Sequence, residues 1–292
     1  MSKLLYFEPH HLEEALELRE QYGPEVIPIS GGTDLMLDIS RGRIEPGHML
    51  ALYHIPELLT IELGEGLCIG SGVNMHKINT SQEVERHLKV LSEATGYVGS
   101  HQIRNLATMG GNVCTALPCA DSVPPMVAAR AEVVIASVGQ ERKMPVESFI
   151  KGPRATVLDD NELVVKFIFP KASDPTGSAF AAHTTREALD LSIVSVAAQI
   201  SVDKDHGKIT GARIALGNVS PAPLEVEKVS EALEGETLSD ELVEHVCALA
   251  VKSSSARDSL LRASAEYRRE LIKVLTRRTL QKAYHRALSG RK

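Results

Sequence analysis

The chain of 292 residues is 43% hydrophobic, so it can bury a substantial core and form two domains or one divided domain. The net charge of −6 gives no reason to expect nucleic acid or anionic lipid as a partner. No apolar run approaches the ~18 residues of a membrane span, and the first residues lack the pattern of a signal peptide. These features predict a cytoplasmic protein that binds neither nucleic acid nor membrane.

The first 55 residues have a βαβ-like rhythm. An amphipathic helix is predicted over residues 11–23, because leucine and alanine share one face and a glycine ends the pattern. Short buried strands are predicted at 25–30 and 48–55. Together these elements predict a small unit with three strands.

The pattern changes after residue 55. The segments 59–73 and 132–144 alternate around glycines and predict two hairpins. A helix is predicted over 84–99 and an apolar strand over 162–170. Residues 171–179 have the composition of a linker.

The last third of the chain predicts an α+β module with an antiparallel sheet and helices. Residues 191–219 indicate two or three strands. Helices are predicted near 223–234, 238–252 and 258–288.

The cysteines Cys68, Cys114, Cys119 and Cys247 form no C-x-x-C pair. An iron–sulfur cluster normally takes its thiolates from close groupings, which this spacing does not offer. For Cys114 and Cys119 a redox-active disulfide is one reading, and small buried cysteines are the favoured one. We expect no metal site in the chain.

Two turns with adjacent glycines are chemically alike. They are Ser-Gly-Gly-Thr at 30–33 and Thr-Met-Gly-Gly-Asn at 108–112. Adjacent glycines allow backbone N–H groups to converge on an anion, and the hydroxyl and amide side chains add neutral donors. Neither turn fits GxxxxGK[ST] or GxGxxG, and a single pair of this kind is more often only a turn. Two such pairs favour a phosphate or pyrophosphate site without excluding the structural reading.

These turns belong to longer segments that resemble the FAD-binding medium subunits of molybdenum hydroxylases. That family includes xanthine dehydrogenase, carbon monoxide dehydrogenase, nicotinate dehydrogenase and 4-hydroxybenzoyl-CoA reductase. The similarity runs in order through nearly the whole chain. Its segments are PISGGTDLML (28–37), QIRNLATMGGNVCTALPCADSVPPM (102–126), REALDLSIVSVAA (186–198), ALGNVSPAPL (215–224) and SAEYRRELIKVLTRR (264–278).

The resemblance implies an α+β fold with two domains. Residues 1–175 would form a two-lobed FAD-binding domain of the vanillyl-alcohol-oxidase and MurB (PCMH) type, with lobes at about 1–55 and 56–175. Residues 176–292 would form a C-terminal domain of the carbon monoxide dehydrogenase flavoprotein type, with an antiparallel sheet and helices.

The resemblance also implies the residues that hold FAD. The first turn should wrap the pyrophosphate through main-chain N–H groups, and the second should contact the cofactor from the other lobe. Asp121 should accept hydrogen bonds from ribityl hydroxyls, because a carboxylate suits hydroxyl donors better than bare phosphate. Val164 should pack near the isoalloxazine ring. The full set is Ile29, Ser30, Gly31, Gly32, Thr33, Asp34, Leu35, His101, Ile103, Thr108, Gly110, Gly111, Asn112, Asp121 and Val164.

Three departures from the family pattern bear on function. His101 replaces a proline of many relatives, and a surface histidine is favoured over one that reaches the flavin edge. Ala182 stands where some relatives have a lysine that could tune the flavin potential or pyridine-nucleotide access, which puts NAD use in doubt. The cysteine-bearing insertion of the 4-hydroxybenzoyl-CoA reductase type is absent, so flavin alone is expected.

The resemblance implies an oxidoreductase subunit with no catalytic residues of its own. Its partners would be a small [2Fe–2S] subunit and a large molybdopterin subunit, with NAD⁺ or another molecule as the final acceptor. A stand-alone flavin oxidoreductase is the main alternative, and it would need a catalytic Tyr, Ser or Arg set that the sequence does not offer. A degenerate scaffold subunit should have lost glycines from one turn, whereas this chain keeps both pairs.

Overall fold

The N-terminal lobe of the computed structural model is a small parallel sheet with two helices. Its elements are β1 (Leu5–Phe7), α1 (Leu12–Tyr22), β2 (Val26–Ile29), α2 (Leu35–Ser40) and β3 (His48–Ala51). The strand order is β1-β3-β2 and both pairings are parallel, which confirms the three-stranded unit expected from the sequence. The residues described by the structure are 4–172, 175–186, 189–259 and 262–290.

Helix α1 is fixed to the sheet by one buried face and one buried arginine. Ala15 and Leu16 are buried, as the apolar spacing predicts. The Arg19 side chain is also buried, and its Nη1 donates to the carbonyl oxygens of Gly23 at 2.8 Å and Val26 at 2.6 Å. These bonds pair the carbonyl oxygen that follows the last residue of α1 and that of the first residue of β2, so they connect the end of the helix to the start of the strand.

The second lobe is built on an antiparallel sheet with helices around it. Its strands are β4 (Ile61–Leu63), β5 (Gly66–Gly70), β6 (Glu132–Ser137), β7 (Gln140–Pro145), β8 (Ile150–Gly152), β9 (Ala155–Thr156) and β10 (Leu163–Pro170). Its helices are α3 (Met75–Thr80), α4 (Gln82–His87), α5 (Lys89–Thr95), α6 (His101–Leu106), α7 (Met109–Cys114), α8 (Val123–Ala128) and α9 (Val146–Phe149). The five-stranded sheet has the order β4-β5-β10-β6-β7, and β8 pairs with β9 separately.

Both hairpins expected in this lobe are present, as β4–β5 and β6–β7. The prediction of a single helix over residues 84–99 is wrong, because two helices are present. Leu88 has φ −148° and ψ 58°, which separates α4 from α5 and lets its side chain enter the core. The hydrophobic spacing survives this break, so the sequence pattern alone does not reveal it.

The C-terminal part has the antiparallel sheet and helices that the sequence predicts. Its elements are β11 (Thr176–His183), β12 (Val194–Val202), β13 (Ile209–Gly217), β14 (Leu224–Glu225), α10 (Val229–Leu233), α11 (Asp240–Ser253) and α12 (Ala265–Ser289). The strand order follows the chain, β11-β12-β13-β14, and all the pairings are antiparallel.

Some boundaries differ from the sequence expectation. The expected linker at 171–179 ends earlier, because β11 already begins at Thr176; residues 173 and 174 lie outside the described residues. Helix α12 begins at Ala265 rather than near 258, since the Ser264 hydroxyl accepts the Tyr267 N–H and caps the helix there. The helix expected over 223–234 is limited to α10 and follows a short strand.

Glu93 on α5 connects the second lobe to the C-terminal part. Its carboxylate accepts hydrogen bonds from Arg286 Nη2 at 2.6 Å, Lys282 Nζ at 2.9 Å and the Phe180 N–H at 2.9 Å. The Glu93 and Arg286 side chains are only 17% and 19% exposed.

Within the described residues, no helix is long and apolar enough to span a lipid bilayer.

Candidate functional site

A cavity of about 470 Å³ lies between the N-terminal lobe and the second lobe. The loop after β2 forms one wall, and the start of α7 with the segment 117–121 forms another. Its volume is within the usual range for a site that binds a small molecule or cofactor. Of the residues expected from the sequence, those on the cavity wall are Ile29, Ser30, Gly31, Gly32, Thr33, Asp34, Leu35, Ile103, Thr108, Gly111, Asn112 and Asp121.

The loop after β2 offers a run of free backbone donors. None of the hydrogen bonds among the described residues uses the N–H groups of residues 30–35, and the first N–H to be paired is that of Met36, which donates to Gly32 O at 2.9 Å. The Ser30 hydroxyl is buried and also has no partner among the described residues. Unpaired donors that line one wall of a cavity fit an anionic group, because each is costly to leave unsatisfied.

Gly31 lets the two lobes approach closely at this loop. A Cβ atom on Gly31 would lie 2.1 Å from the carbonyl oxygen of Leu106, at the end of α6. Gly32 has φ +69°, a conformation that L side chains rarely adopt. The glycine pair is therefore required both for the contact between lobes and for the turn that exposes the N–H groups.

The second glycine pair has a different role. It lies in the short helix α7, and its N–H groups are already paired: Gly110 donates to Ser71 O at 2.7 Å and Gly111 to Thr108 Oγ1 at 3.2 Å. A Cβ on Gly110 would lie 2.8 Å from the Ser71 carbonyl oxygen, so this glycine serves packing and does not line the cavity. The expectation that both turns offer free backbone donors is therefore not met for the second turn.

Asp121 supplies a buried carboxylate at the cavity wall. The residue is 5% exposed, and the Ser192 hydroxyl lies 2.7 Å and 2.8 Å from its two oxygens. Burial raises the pKa of Asp121 to about 6, and the hydrogen bond from Ser192 limits the rise. A carboxylate with unused lone pairs in this position is suited to accept hydroxyl donors from a ligand.

His101 and Val164 lie away from the cavity. His101 is the exposed first residue of α6, and its ring packs edge-on against His76 with centroids 4.8 Å apart. Val164 is buried in the core of the second lobe and pairs with Ile135 across β10 and β6. Their expected contacts with a flavin thus gain no support from this cavity.

A charged bridge between the lobes lies at the cavity and was not predicted. Arg154 Nη1 donates to Asp38 Oδ2 at 2.7 Å, and Arg43 Nη1 donates to Asp38 Oδ1 at 3.0 Å. Hydrogen bonding from Arg154 holds the pKa of Asp38 below its usual range, and Arg43 acts in the same direction. Asp38 lies on α2 whereas Arg154 lies between β8 and β9, so no local sequence pattern links them.

The other ionisable groups at the cavity do not suggest a nucleophile. Burial raises the pKa of the Cys114 thiol to about 12, and burial followed by the charge of Asp121 raises that of Cys119. Both thiols are therefore protonated near neutral pH and poor nucleophiles. In the described part of the chain, no group of His, Cys, Asp and Glu is arranged to hold a metal ion.

Comparison with known proteins identifies both halves of the chain. A family model described as the FAD binding domain in molybdopterin dehydrogenase matches residues 2–172. A second model, described as the CO dehydrogenase flavoprotein C-terminal domain, matches residues 178–283.

Individual relatives agree with these models. The xanthine dehydrogenase FAD-binding subunit of Escherichia coli O157:H7 is 29% identical over 263 residues, which cover 89% of each chain. The nicotinate dehydrogenase FAD-subunit of Eubacterium barkeri is 32% identical over 250 residues, which cover 84% of each. Carbon monoxide dehydrogenase from Hydrogenophaga pseudoflava, solved without the Mo-pyranopterin moiety of its cofactor, has a chain that superposes with a TM-score of 0.91 at 27% identity, covering 98% of both.

The free donors of residues 30–35 and the orphaned Ser30 hydroxyl fit the pyrophosphate of FAD, and Asp121 fits its hydroxyls. The chain therefore belongs to the family of FAD-binding subunits of molybdenum hydroxylases that includes xanthine dehydrogenase and carbon monoxide dehydrogenase, and it is an oxidoreductase subunit whose cofactor is FAD.

Proposed function

We propose that the chain is the electron-transfer subunit of a molybdenum hydroxylase. Its partners are a small [2Fe–2S] subunit and a large molybdopterin subunit, and NAD⁺ or another molecule is the final acceptor. The observation that carries the proposal is the cavity with unpaired backbone donors on one wall and a buried carboxylate on another. Bound FAD supplies the redox chemistry, while the protein binds and orients it.

Different residues of the cavity bind different chemical groups of FAD. The N–H groups of residues 30–35 and the Ser30 hydroxyl bind the pyrophosphate. Thr108, Gly111 and Asn112 form the opposite wall, and the Asn112 side chain is fixed because its Oδ1 accepts the Ser122 hydroxyl at 2.7 Å. The Asp121 carboxylate accepts hydrogen bonds from hydroxyl groups of the ribityl chain. We also propose the division into an FAD-binding domain at 1–175 and a C-terminal domain at 176–292.

The cavity itself argues against a separate organic substrate. In the described residues its wall contains no histidine, lysine or tyrosine. Its arginine, Arg154, is paired with Asp38, and both of its cysteines are protonated near neutral pH. A group that moves a proton to or from a substrate works best with a pKa near the working pH. Asp121 has such a pKa, but in this proposal its carboxylate accepts the ribityl hydroxyls of FAD. This chemistry supports a subunit that holds a redox cofactor and leaves substrate oxidation to a partner.

The test compares the chain alone with its complex. Purified alone, it should hold FAD and should oxidise neither xanthine nor nicotinate with a dye acceptor. Co-expressed with the [2Fe–2S] and molybdopterin proteins of the same cell, it should co-purify with them, and its flavin should become reducible by the substrate of the complex. Substrate oxidation by the isolated chain would favour the stand-alone flavin oxidoreductase, and a colourless chain that takes up no added FAD would refute the proposal.

The affinity for FAD should depend on pH through Asp121. Its pKa of about 6 without ligand means that the carboxylate is half protonated there, and hydroxyl donors bind the ionised form. FAD affinity should therefore fall as the pH decreases through 6, by about tenfold for each pKa unit that binding lowers this group. Fluorescence titration between pH 5 and 8 measures the effect.

Asp121→Asn should bind FAD more weakly and lose this pH dependence, because the amide does not titrate. Asp203→Asn, a change at an exposed position outside the cavity, should keep it. A flat profile for the unaltered protein, or an unchanged slope for Asp121→Asn, would exclude the role given to Asp121.

A further inference from the structure

A second cavity, of about 310 Å³, shares a wall with the cofactor cavity. Leu117 and Cys119 line the cofactor cavity, whereas Pro118 between them lines the second one. Its remaining walls are the segments 218–220 and 255–259 and the side chain of Arg268 on α12. We call this cavity the arginine pocket.

Arg268 is nearly enclosed, yet its guanidinium group is only partly used. The residue is 8% exposed, and Nη1 donates to the carbonyl oxygens of Ile193 at 2.8 Å and Asn218 at 3.0 Å. Nε is buried without a partner, and Nη2 enters no hydrogen bond among the described residues. Burial of a guanidinium with unpaired N–H groups carries a desolvation penalty, so an acceptor in the adjoining pocket for Nε or Nη2 would stabilise it.

Two further arginines, Arg257 and Arg262, lie near Arg268. Burial lowers the pKa of Arg268, and the nearby charges of Arg262 and Arg257 lower it further. In the described part of the chain, none of these three arginines forms an ion pair with a carboxylate. Asp258 is the acidic residue of the pocket wall, and its Oδ1 already accepts the Ala265 N–H at 2.7 Å.

Neutral donors complete the wall. Ser255 and Ser259 line the pocket, and their backbone N–H groups are paired with Val219 O and Ala263 O at 3.0 Å each, which fixes the positions of both residues. Their hydroxyl groups enter no hydrogen bond among the described residues. Guanidinium and hydroxyl donors around a small pocket match the several acceptor oxygens of a phosphate group.

We propose that the arginine pocket binds a phosphate group, either as free phosphate or as part of a phosphorylated metabolite. Arg268 and Arg257 supply the charge, and Ser255 and Ser259 supply neutral hydrogen bonds. The site is distinct from that of the FAD pyrophosphate, which lies on the other side of residues 117–119 and is bound by backbone donors rather than by arginine.

The test is calorimetric titration of the FAD-loaded protein with inorganic phosphate and with glycerol 3-phosphate, each at constant ionic strength against chloride. FAD fills the cofactor site, so that site does not contribute. Binding of one phosphate per chain is expected. If the natural ligand is a phosphorylated metabolite, glycerol 3-phosphate should bind more tightly than inorganic phosphate. If the natural ligand is free phosphate, inorganic phosphate should bind at least as tightly as glycerol 3-phosphate. Absence of binding by both at millimolar concentration would overturn the proposal.

Arg257→Gln is the informative variant, because Arg257 is exposed and makes no ion pair among the described residues, whereas Arg268→Gln would also remove the contacts to Ile193 and Asn218. Arg257→Gln should weaken phosphate binding about tenfold or more, the effect of one charge-assisted hydrogen bond. Arg277→Gln removes an exposed arginine elsewhere on α12 and should leave binding unchanged. Equal binding by the two variants would assign the phosphate to general charge attraction and overturn the site. Neither Arg257 nor Arg277 lines the cofactor cavity, so the difference between the two variants reports on the arginine pocket even in flavin-free protein and is independent of the proposed function.

Discussion

Gly31→Val should abolish retention of FAD. A Cβ at this position would lie 2.1 Å from the Leu106 carbonyl oxygen, which is a backbone atom, so the loop after β2 must move away from the second lobe. That movement misplaces the N–H groups of residues 30–35. A hydrogen bond to a charged group contributes about 1.5–3 kcal/mol, so the loss of two of them weakens binding by about two to four orders of magnitude. Flavin absorbance of the purified variant, and titration with added FAD, measure the loss.

Two controls separate binding from folding. Gly64→Val places a side chain in the β4–β5 hairpin, where a Cβ would meet no neighbour, and should keep full flavin content. Ser30→Ala removes a hydroxyl that has no partner among the described residues, so it should not lower the thermal midpoint of the flavin-free protein while it lowers FAD affinity. Full flavin in Gly31→Val, or unaltered affinity in Ser30→Ala, would show that this loop does not hold the cofactor.

Local sequence patterns were sufficient for most of the secondary structure. Alternation and glycine position predict the β4–β5 and β6–β7 hairpins, because those features reflect contacts between residues a few positions apart. The same reasoning fails at Leu88, where the backbone leaves the helical region although the apolar spacing continues. Tertiary packing decides such a break, and the neighbouring residues contain no sequence signal that predicts it.

The two glycine turns show a similar limit within the site. Their sequences are alike, yet the N–H groups are unpaired after β2 and paired at the start of α7. The difference arises from Ser71 and Val73, which lie far from α7 in the sequence and accept its first N–H groups. The composition of the turns therefore favoured a phosphate or pyrophosphate site, but it did not reveal which turn offers backbone donors.

Charged contacts between distant segments were the least predictable part of the site. Asp38 and Arg154 are separated by 116 positions, and their pairing depends on how the lobes dock. Arg154 also has φ +61°, and its N–H donates to Ala116 O at 3.0 Å, so its placement depends on an unusual turn as well. Only the assembled fold brings these groups to the cofactor cavity.

Glu93→Ala should destabilise the protein strongly, since Glu93 connects the second lobe to the C-terminal part. The substitution leaves the Arg286 guanidinium without its carboxylate and the Phe180 N–H without its acceptor, in a place where both side chains are mostly buried. Removing one partner from a buried pair costs about 3–5 kcal/mol. Denaturant unfolding of the variant should show this decrease in the free energy of unfolding.

The matched control is Glu244→Ala, which breaks the pair between α11 and Arg277 on α12. Those side chains are 61% and 41% exposed, and an exposed pair contributes about 0–1 kcal/mol. Similar losses for the two variants would mean that the Glu93 contacts add nothing beyond a surface pair.

The pH dependence of the stability that Glu93 contributes tests the same contacts. Burial alone would raise the pKa of Glu93, but the hydrogen bonds from Arg286, Lys282 and the Phe180 N–H outweigh it and hold the pKa below its ordinary value. A carboxyl with a lowered folded-state pKa stabilises the protein fully above the unfolded value of about 4.3, and this contribution is lost as the pH falls below it. The stability gap between the unaltered protein and Glu93→Gln should therefore be constant from pH 8 to pH 6 and shrink below pH 4. A gap that stays constant into acid would mean that the charge of Glu93 does not hold the C-terminal part in place.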